Sequence, residues 1–370
     1  MKGKILMLFL IFALLSTLFA AAPAFPKELK VVTINVWSGL DYEGTLKMGE
    51  YESKEVRMGR YNLLVKELKR LDPDVIAINE ANLLPRYARR LAKDLDMDKI
   101  HSVGLGGIHF GYIGIPVNFR EGDAILAKKE LKLKSLGRKR LSGGGIINNF
   151  MTFHLTDACQ IIGGVINFDG RDVYIFNTHT HASPPNEPWF MERLEGARAE
   201  GRLTEEGLRI AKESVVEDQK WRMDEITKLL KWVSEVVPRG RPVVLVGDFN
   251  AEIDTVEMRQ VIDAGFIDTH AVANPDSVSM GYTWNPETNL NIIKYYDAEA
   301  ARTLSEADGA SPKKIADKLD DFIQKRLDFI FVSESIGAEN VIESAVVLDR
   351  EEGGQHPSDH YGVMSVVNIE

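Results

Sequence analysis

Cysteine is nearly absent: Cys159 is the only one in 370 residues. No intramolecular disulfide can form and a zinc cluster of cysteines is excluded; a lone cysteine reads as a small buried apolar residue. Excess positive charge is also lacking. Lysine and arginine number 45 against 55 aspartates and glutamates, for a formal net charge of -10. Proteins that grip duplex DNA gain much affinity by neutralising phosphates. The acidic balance therefore argues against a dedicated DNA binder and suits a site that gathers divalent cations. Beyond the N-terminal segment no stretch is long and apolar enough to span a bilayer, and there is no internal repeat or low-complexity tract. What remains is an ordinary globular composition, 44% apolar and 27% charged, in a chain long enough to bury a core without staples.

Residues 1–24 read as a signal peptide. Lys2 and Lys4 precede an apolar run from 5 to 20, and small residues then gather at Ala20, Ala21, Ala22 and Ala24 around Pro23, the order expected of an export signal. The expectation is a secreted, extracytoplasmic protein. The alternative is an uncleaved segment that anchors the chain in a membrane. No cysteine stands at the junction to carry a lipid.

After this segment short apolar runs alternate with helical patterns. Residues 29–37 (LKVVTINVW), 75–79 (VIAIN), 123–127 (DAILA), 160–168, 171–178, 242–246 (PVVLV), 327–332 (LDFIFV) and 361–368 (YGVMSVVN) are predicted strands. Residues 55–71 place Leu63, Leu64, Leu68 and Leu71 at helical spacing, and 255–264 form a second predicted helix. The glycine-rich stretch 103–119 fits a hairpin or an exposed apolar loop. Charged helical stretches around 184–218 and 291–324 read as insertions into one domain, 25–370. Many strands with interspersed helices imply two packed sheets flanked by helices.

Six predicted strands have polar or ionisable residues at one end: Asn35, Glu80, His179, Asp248 with Asn250, Asp328, and Asp359 with His360. Each alone has an ordinary explanation. Asn35 fits a turn, Glu80 a surface carboxylate, Asp248 and Asn250 a helix cap, and Asp328 a structural pair with Arg326. Together they are hard to obtain from solubility needs, and strands that end along common edges bring their terminal groups to one pocket.

These residues carry a resemblance. An early strand ending in N-x-W, then I-x-x-N-E, GDFN after an apolar strand, and SDH before the last strand resemble the endonuclease/exonuclease/phosphatase superfamily, in the right order over the whole mature chain. That superfamily includes type I deoxyribonucleases, abasic-site endonucleases, inositol-polyphosphate phosphatases and neutral sphingomyelinases. The resemblance implies an α/β fold, a four-layer α/β/β/α sandwich, and a Mg²⁺-dependent phosphodiesterase, with Mn²⁺ or Ca²⁺ as alternative ions. Glu80 is similar to the principal metal ligand, and Asn35 and Asp359 match residues that help hold the metal. His360 matches the general base and Asp328 the carboxylate that orients it. Asp248 and Asn250 match the pair around the scissile phosphate, and His179 matches the histidine opposite His360. Glu121 stands where some members steady that second histidine.

Three features lean toward a lipid head group as substrate. The run NTHTHA resembles neutral sphingomyelinase-like members and singles out His181 as a candidate substrate contact, with an ordinary surface histidine as the alternative. The apolar segment 108–117, and Trp189, Phe190 and Met191, are candidates for peripheral membrane contact, with packed interiors as the alternative. The run YTWNPETN ahead of R-L-D also resembles that branch. Missing is the tyrosine-bearing motif that abasic-site endonucleases place over the phosphate. A secreted nuclease is the competing expectation, with Lys128, Lys129, Lys132, Lys134, Arg138, Lys139 and Arg140 as the only dense basic run. A non-catalytic binding module of the same fold is the third. No obligate protein partner is implied.

Overall fold

Side chains alternate across the first strand, β1 (Lys27–Asn35). Leu29 and Val31 turn to one side, Val32 and Ile34 to the other, and all four are buried. A strand covered on both faces belongs inside a layered fold. The computed structural model describes residues 27–111, 113–153, 158–277, 281–296 and 311–370. The signal segment expected at 1–24 and residues 297–310 of the second expected insertion lie outside the described residues.

The strands that follow are β2 (Val75–Asn79), β3 (Met97–Leu105), β4 (Ile108–Phe110), β5 (Ile113–Ile115), β6 (Glu121–Lys128), β7 (Lys134–Arg140), β8 (Ile146–Ile147), β9 (Met151–Phe153), β10 (Gln160–Phe168), β11 (Arg171–His179), β12 (Val243–Asp248), β13 (Phe266–Asp268), β14 (Asp328–Ser333), β15 (Val341–Val347) and β16 (Gly362–Ile369). The α-helices are α1 (Lys54–Leu71), α2 (Arg86–Leu95), α3 (Pro188–Ala199), α4 (Glu205–Val236), α5 (Val256–Asp263), α6 (Thr269–Ala273) and α7 (Pro312–Asp320).

Two six-stranded sheets form the centre, in the orders β15-β16-β1-β2-β6-β3 and β13-β14-β12-β11-β10-β7. Leu29, Val31, Val75 and Ile125 of the first meet Ile162, Val173, Val244 and Ile330 of the second in one apolar layer. On the outer face of the first sheet Val32, Ile34 and Ile76 pack against Leu64 and Leu68 of α1 and Leu91 of α2. On the outer face of the second, Phe176, Leu245 and Phe331 pack against Ile226 and Leu229 of α4 and Met258 of α5. The result is the four-layer α/β/β/α sandwich.

The first sheet pairs β1 with β2 in parallel and the second pairs β11 with β12 in parallel; the other ladders are antiparallel. Parallel neighbours end together at their carboxyl edge. The last residues of both pairs, Asn35 beside Asn79 and His179 beside Asp248, are site candidates or their neighbours.

The insertions build a core of their own. Phe190 and Leu194 of α3, Leu208, Ala211 and Val215 of α4, and Ile315 and Leu319 of α7 are buried together. Helix α4 is capped by the Thr204 side chain, which accepts from Gly207 N at 3.0 Å. Its first half serves this core and its second half covers the second sheet. Phe190 is therefore not a membrane contact as expected: it is wholly buried, and only Trp189 of that trio is substantially exposed. The stretch 103–119 becomes the end of β3 and a hairpin, β4–β5. That hairpin joins β9 and β8 in a separate small sheet ordered β5-β4-β9-β8.

Candidate active site

Because β14 is antiparallel to β12 and β16 antiparallel to β1, the residues that open β14 and precede β16 reach the same edge as those that end β1, β2, β11 and β12. Asp328 lies directly opposite Asp248 across the ladder. The hollow at this edge has a volume of about 580 Å³, and Glu80, Glu121, His179, His181, Asp248, Asn250, Asp359 and His360 line it. Asn35 and Asp328, both buried, support the lining groups through hydrogen bonds.

Asn35 Nδ2 donates to Glu80 Oε1 at 2.8 Å and to Asp248 Oδ2 at 3.0 Å, bridging the two sheets. Its Oδ1 accepts from Trp37 N at 3.0 Å. Asn35 Nδ2 thus orients both carboxylates, and Oδ1, which keeps a second lone pair, is the atom by which Asn35 would help hold a metal. Glu80 and Trp37 hold positive φ angles of 54° and 52°, as does Asn250 at 47°. Asp359 accepts from Tyr296 OH at 3.0 Å and from Ser358 Oγ at 3.1 Å.

His360 Nδ1 and Asp328 Oδ2 are 2.8 Å apart, and the Trp284 ring lies across the imidazole with centroids 5.3 Å apart. Thr283 Oγ1 accepts from Asp328 N at 3.1 Å and fixes that end of the strand. His360 Nε2 is 3.8 Å from Asp248 Oδ2, and His179 Nε2 reaches the same oxygen at 3.7 Å and Glu80 Oε1 at 3.9 Å. Asp248 thus stands between the two histidines. Asn250 N donates to Asp248 Oδ1 at 2.9 Å and its side chain donates to Thr180 O at 2.9 Å, leaving a second N–H.

Two expected residues have other engagements. Glu121 accepts from Tyr42 OH at 2.8 Å; it acts on His179 through charge. His181 is not a surface histidine. Its Nε2 meets Asp218 at 3.1 Å, its N–H donates to Glu225 at 2.8 Å, and its ring stacks on Trp221. It forms a wall of the hollow while its ring is held by α4.

Sequence reasoning missed several groups. Asn79 donates to Asp123 at 2.8 Å, Asp123 also accepts from Gln160 at 2.8 Å, and Tyr42 and Tyr296 reach the carboxylates already described. Asn79 carried a signal, since it precedes Glu80 at the same strand end. Asp123 looked like an ordinary strand start, and the tyrosines lie where no period marks them. Helix α7 brings Lys314 and Lys318 to the lining of the hollow.

Burial depresses the charge state of His360, but the Asp328 and Asp248 carboxylates outweigh it and raise its pKa to about 10. His179 is likewise raised: burial opposes its charge, while Asp248 and Glu80 favour it. Burial and then the Glu80 charge push the Glu121 carboxyl upward, and burial does the same to Asp359. Crowded carboxylates that resist ionising together, all offering hard oxygen, fit a divalent cation such as Mg²⁺. Glu80 and Asp359 would hold it. Ligand atoms of Asp248, Asp328 and His360 also lie within 4.8 Å of one another, but Asp328 and His360 are already committed to each other.

The sequence profile described as the Endonuclease/Exonuclease/phosphatase family matches residues 32–360. No curated protein is a significant match. Among solved structures, a humanized D. rerio TDP2 carrying 14 mutations is similar at a TM-score of 0.55 and 15% identity, covering 92% of this chain and 99% of that one. D. rerio TDP2 complexed with a single strand DNA product is similar at 0.54 and 16%, covering 93% and 100%. An endonuclease/exonuclease/phosphatase family protein from Bacteroides thetaiotaomicron is similar at 0.55 and 15%, covering 93% and 99%. At these identities the likeness is one of fold.

Proposed function

The chain belongs to the endonuclease/exonuclease/phosphatase family, and from that premise we propose that it is an exported, Mg²⁺-dependent hydrolase of a phosphodiester lipid head group. The observation that carries the hydrolase reading is the meeting of Glu80, His179, Asp248, Asn250, Asp359 and His360, from both sheets, around one hollow.

A bound dication supplies polarisation of a phosphoryl oxygen and offsets charge in the transition state. His360 Nε2 takes the proton of the attacking water, and Asp328, bonded to Nδ1, holds the ring and its charged form. A base must start neutral. Asp328 and Asp248 favour the charged imidazole, and a dication held by Glu80 and Asp359 would oppose that charge and favour the neutral form. His179, whose cationic form its neighbours favour, and the second N–H of Asn250 bind phosphoryl oxygens. Asp248, within 4 Å of both histidines, assists at the leaving oxygen.

The lipid reading draws on the acidic balance, the sphingomyelinase-like runs NTHTHA and YTWNPETN, and the exposed apolar residues of 108–117. Export draws on the form of residues 1–24. A nuclease is the second reading, favoured by Lys314 and Lys318 on the wall of the hollow and by the fold-level likeness to a TDP2 seen with single strand DNA. The test is one assay of the purified protein on sphingomyelin and phosphatidylcholine vesicles, DNA and bis(p-nitrophenyl) phosphate, with and without EDTA. Metal-dependent lipid cleavage is expected. DNA digestion with intact vesicles would select the nuclease, and an inert soluble diester would reject the hydrolase.

A further inference from the structure

Antiparallel sheets with one face toward solvent usually alternate apolar inward and polar outward. The small sheet does not. His109, Thr152 and Ile147 point inward and are buried. Outward point Ile108 and Phe110 of β4, Ile113 of β5, Phe153 of β9 and Ile146 of β8, with Ile113 exposed by 84% and Phe110 by 65%. The register stacks them: Ile108 lies opposite Phe153, Phe110 opposite Ile113, and Phe153 also opposite Ile146. Among the described residues of these strands the outer face has no carboxylate, in a chain of formal net charge -10.

This face is built rather than frayed. The buried Arg120 guanidinium donates to Gly111 O and, at 2.7 Å, to Asn149 O, tying both hairpin loops to the main fold. Asn149 Oδ1 accepts from Val103 N at 2.9 Å, and Thr152 Oγ1 donates to Gly106 O at 3.1 Å. The face is also continuous with the hollow. Gly104 and Leu105 line the hollow four and three residues before β4 begins. Leu46, 71% exposed, accepts from Val117 N at 2.9 Å, in the loop whose Tyr42 bonds Glu121. Cations stand at both margins: Lys47 follows Leu46 and pairs with Glu50 at 3.3 Å, and Arg140 donates to Gly145 O beside β8.

We propose that the outer face of the small sheet docks on a lipid surface and sets the hollow over the head groups, an inference that rests on the lipid reading above. An apolar face with Lys47 and Arg140 at its margins suits acyl chains beneath phosphate groups. A second copy seated there would crowd the hollow it adjoins, whereas a bilayer delivers substrate to it.

The test uses the full chain and vesicles of phosphatidylcholine with sphingomyelin. An environment-sensitive dye on Ile113→Cys is expected to shift to the blue on vesicles; the same dye on Arg171→Cys, at the opposite strand ends, is not. The double variant Phe110→Ser/Ile113→Ser is expected to lose roughly tenfold or more of its vesicle-surface turnover for each side chain removed, with bis(p-nitrophenyl) phosphate turnover unchanged. A silent dye at 113, or undiminished vesicle turnover in the double variant, overturns the proposal. So does self-association that the double variant abolishes, because the face is then an interface between copies. A dye shift without lipid cleavage leaves docking standing and removes the lipid substrate; failure on the soluble diester removes the hydrolase reading alone.

Discussion

The floor of the hollow and the outer face of the small sheet invert the usual distribution of polarity in opposite ways. On the floor, Glu80, Asp123, Asp248, Asp328 and Asp359 are withdrawn from water against mutual repulsion. On the small sheet, Phe110, Ile113 and Phe153 remain in water although the core has similar residues inside. Neither arrangement stabilises an isolated fold, and sites that break local rules are where function is found. They differ in how they are held. Floor groups are tied to one another by hydrogen bonds, Asn35 to Glu80 and Asp248 and Asn79 to Asp123, although one oxygen each of Asp328 and Asn79 has no hydrogen-bond partner among the described residues. The outer face has nothing to satisfy and waits for a partner.

Substitutions on the two surfaces test that contrast. The largest effect is expected on the floor: His360→Ala removes the base and should lower kcat on the soluble diester by ~10²–10⁴-fold, with circular dichroism unchanged. Asn250→Ala removes one donor to the phosphoryl group and should cost ~10²–10³-fold in kcat, read in the same assay. The third effect is one of stability. Burial raises the Asp123 carboxyl to about 6. A carboxyl raised in the folded state favours folding below its unfolded value and loses that contribution as pH rises through its folded value. Asp123→Asn removes the titration, so in EDTA the Tm difference between variant and parent should move in the variant's favour as pH climbs through about 6. An unchanged difference from about pH 4 to about pH 8 would mean that Asp123 carries no such burden. The smallest effect belongs to the outer face, where Ile113→Ser should change unfolding free energy by no more than about 0.5 kcal/mol in a denaturant titration. A larger loss would show that Ile113 is part of a core after all.

Much of the sandwich was legible because strands buried on both faces leave unbroken apolar runs. VIAIN is β2 to the residue, and PVVLV lies in β12 but for Pro242. The polar ends were legible for the same reason, since a charge after such a run is conspicuous. What stayed hidden depends on partners distant in sequence. The small sheet forms only when 108–115 meets 146–153, and no pattern within either segment states that pairing. The engagement of His181 with Asp218 and Trp221 depends on where α4 passes. Asn35 stands at the strand end the sequence pointed to, but its bonds to Glu80, Asp248 and Trp37 N depend on backbone direction and on partners distant in sequence rather than on residue type.

The left-handed backbone at Glu80 and Trp37 has an evolutionary reading. A non-glycine residue held there costs ~1–3 kcal/mol, and Glu80 bears that cost while presenting its carboxylate to the hollow. Glu80→Gly would relax the chain and delete the carboxylate in one step. Loss of turnover is therefore the easy direction for this protein to drift. A descendant lineage no longer selected for hydrolysis should keep the sandwich intact and discard this side chain early.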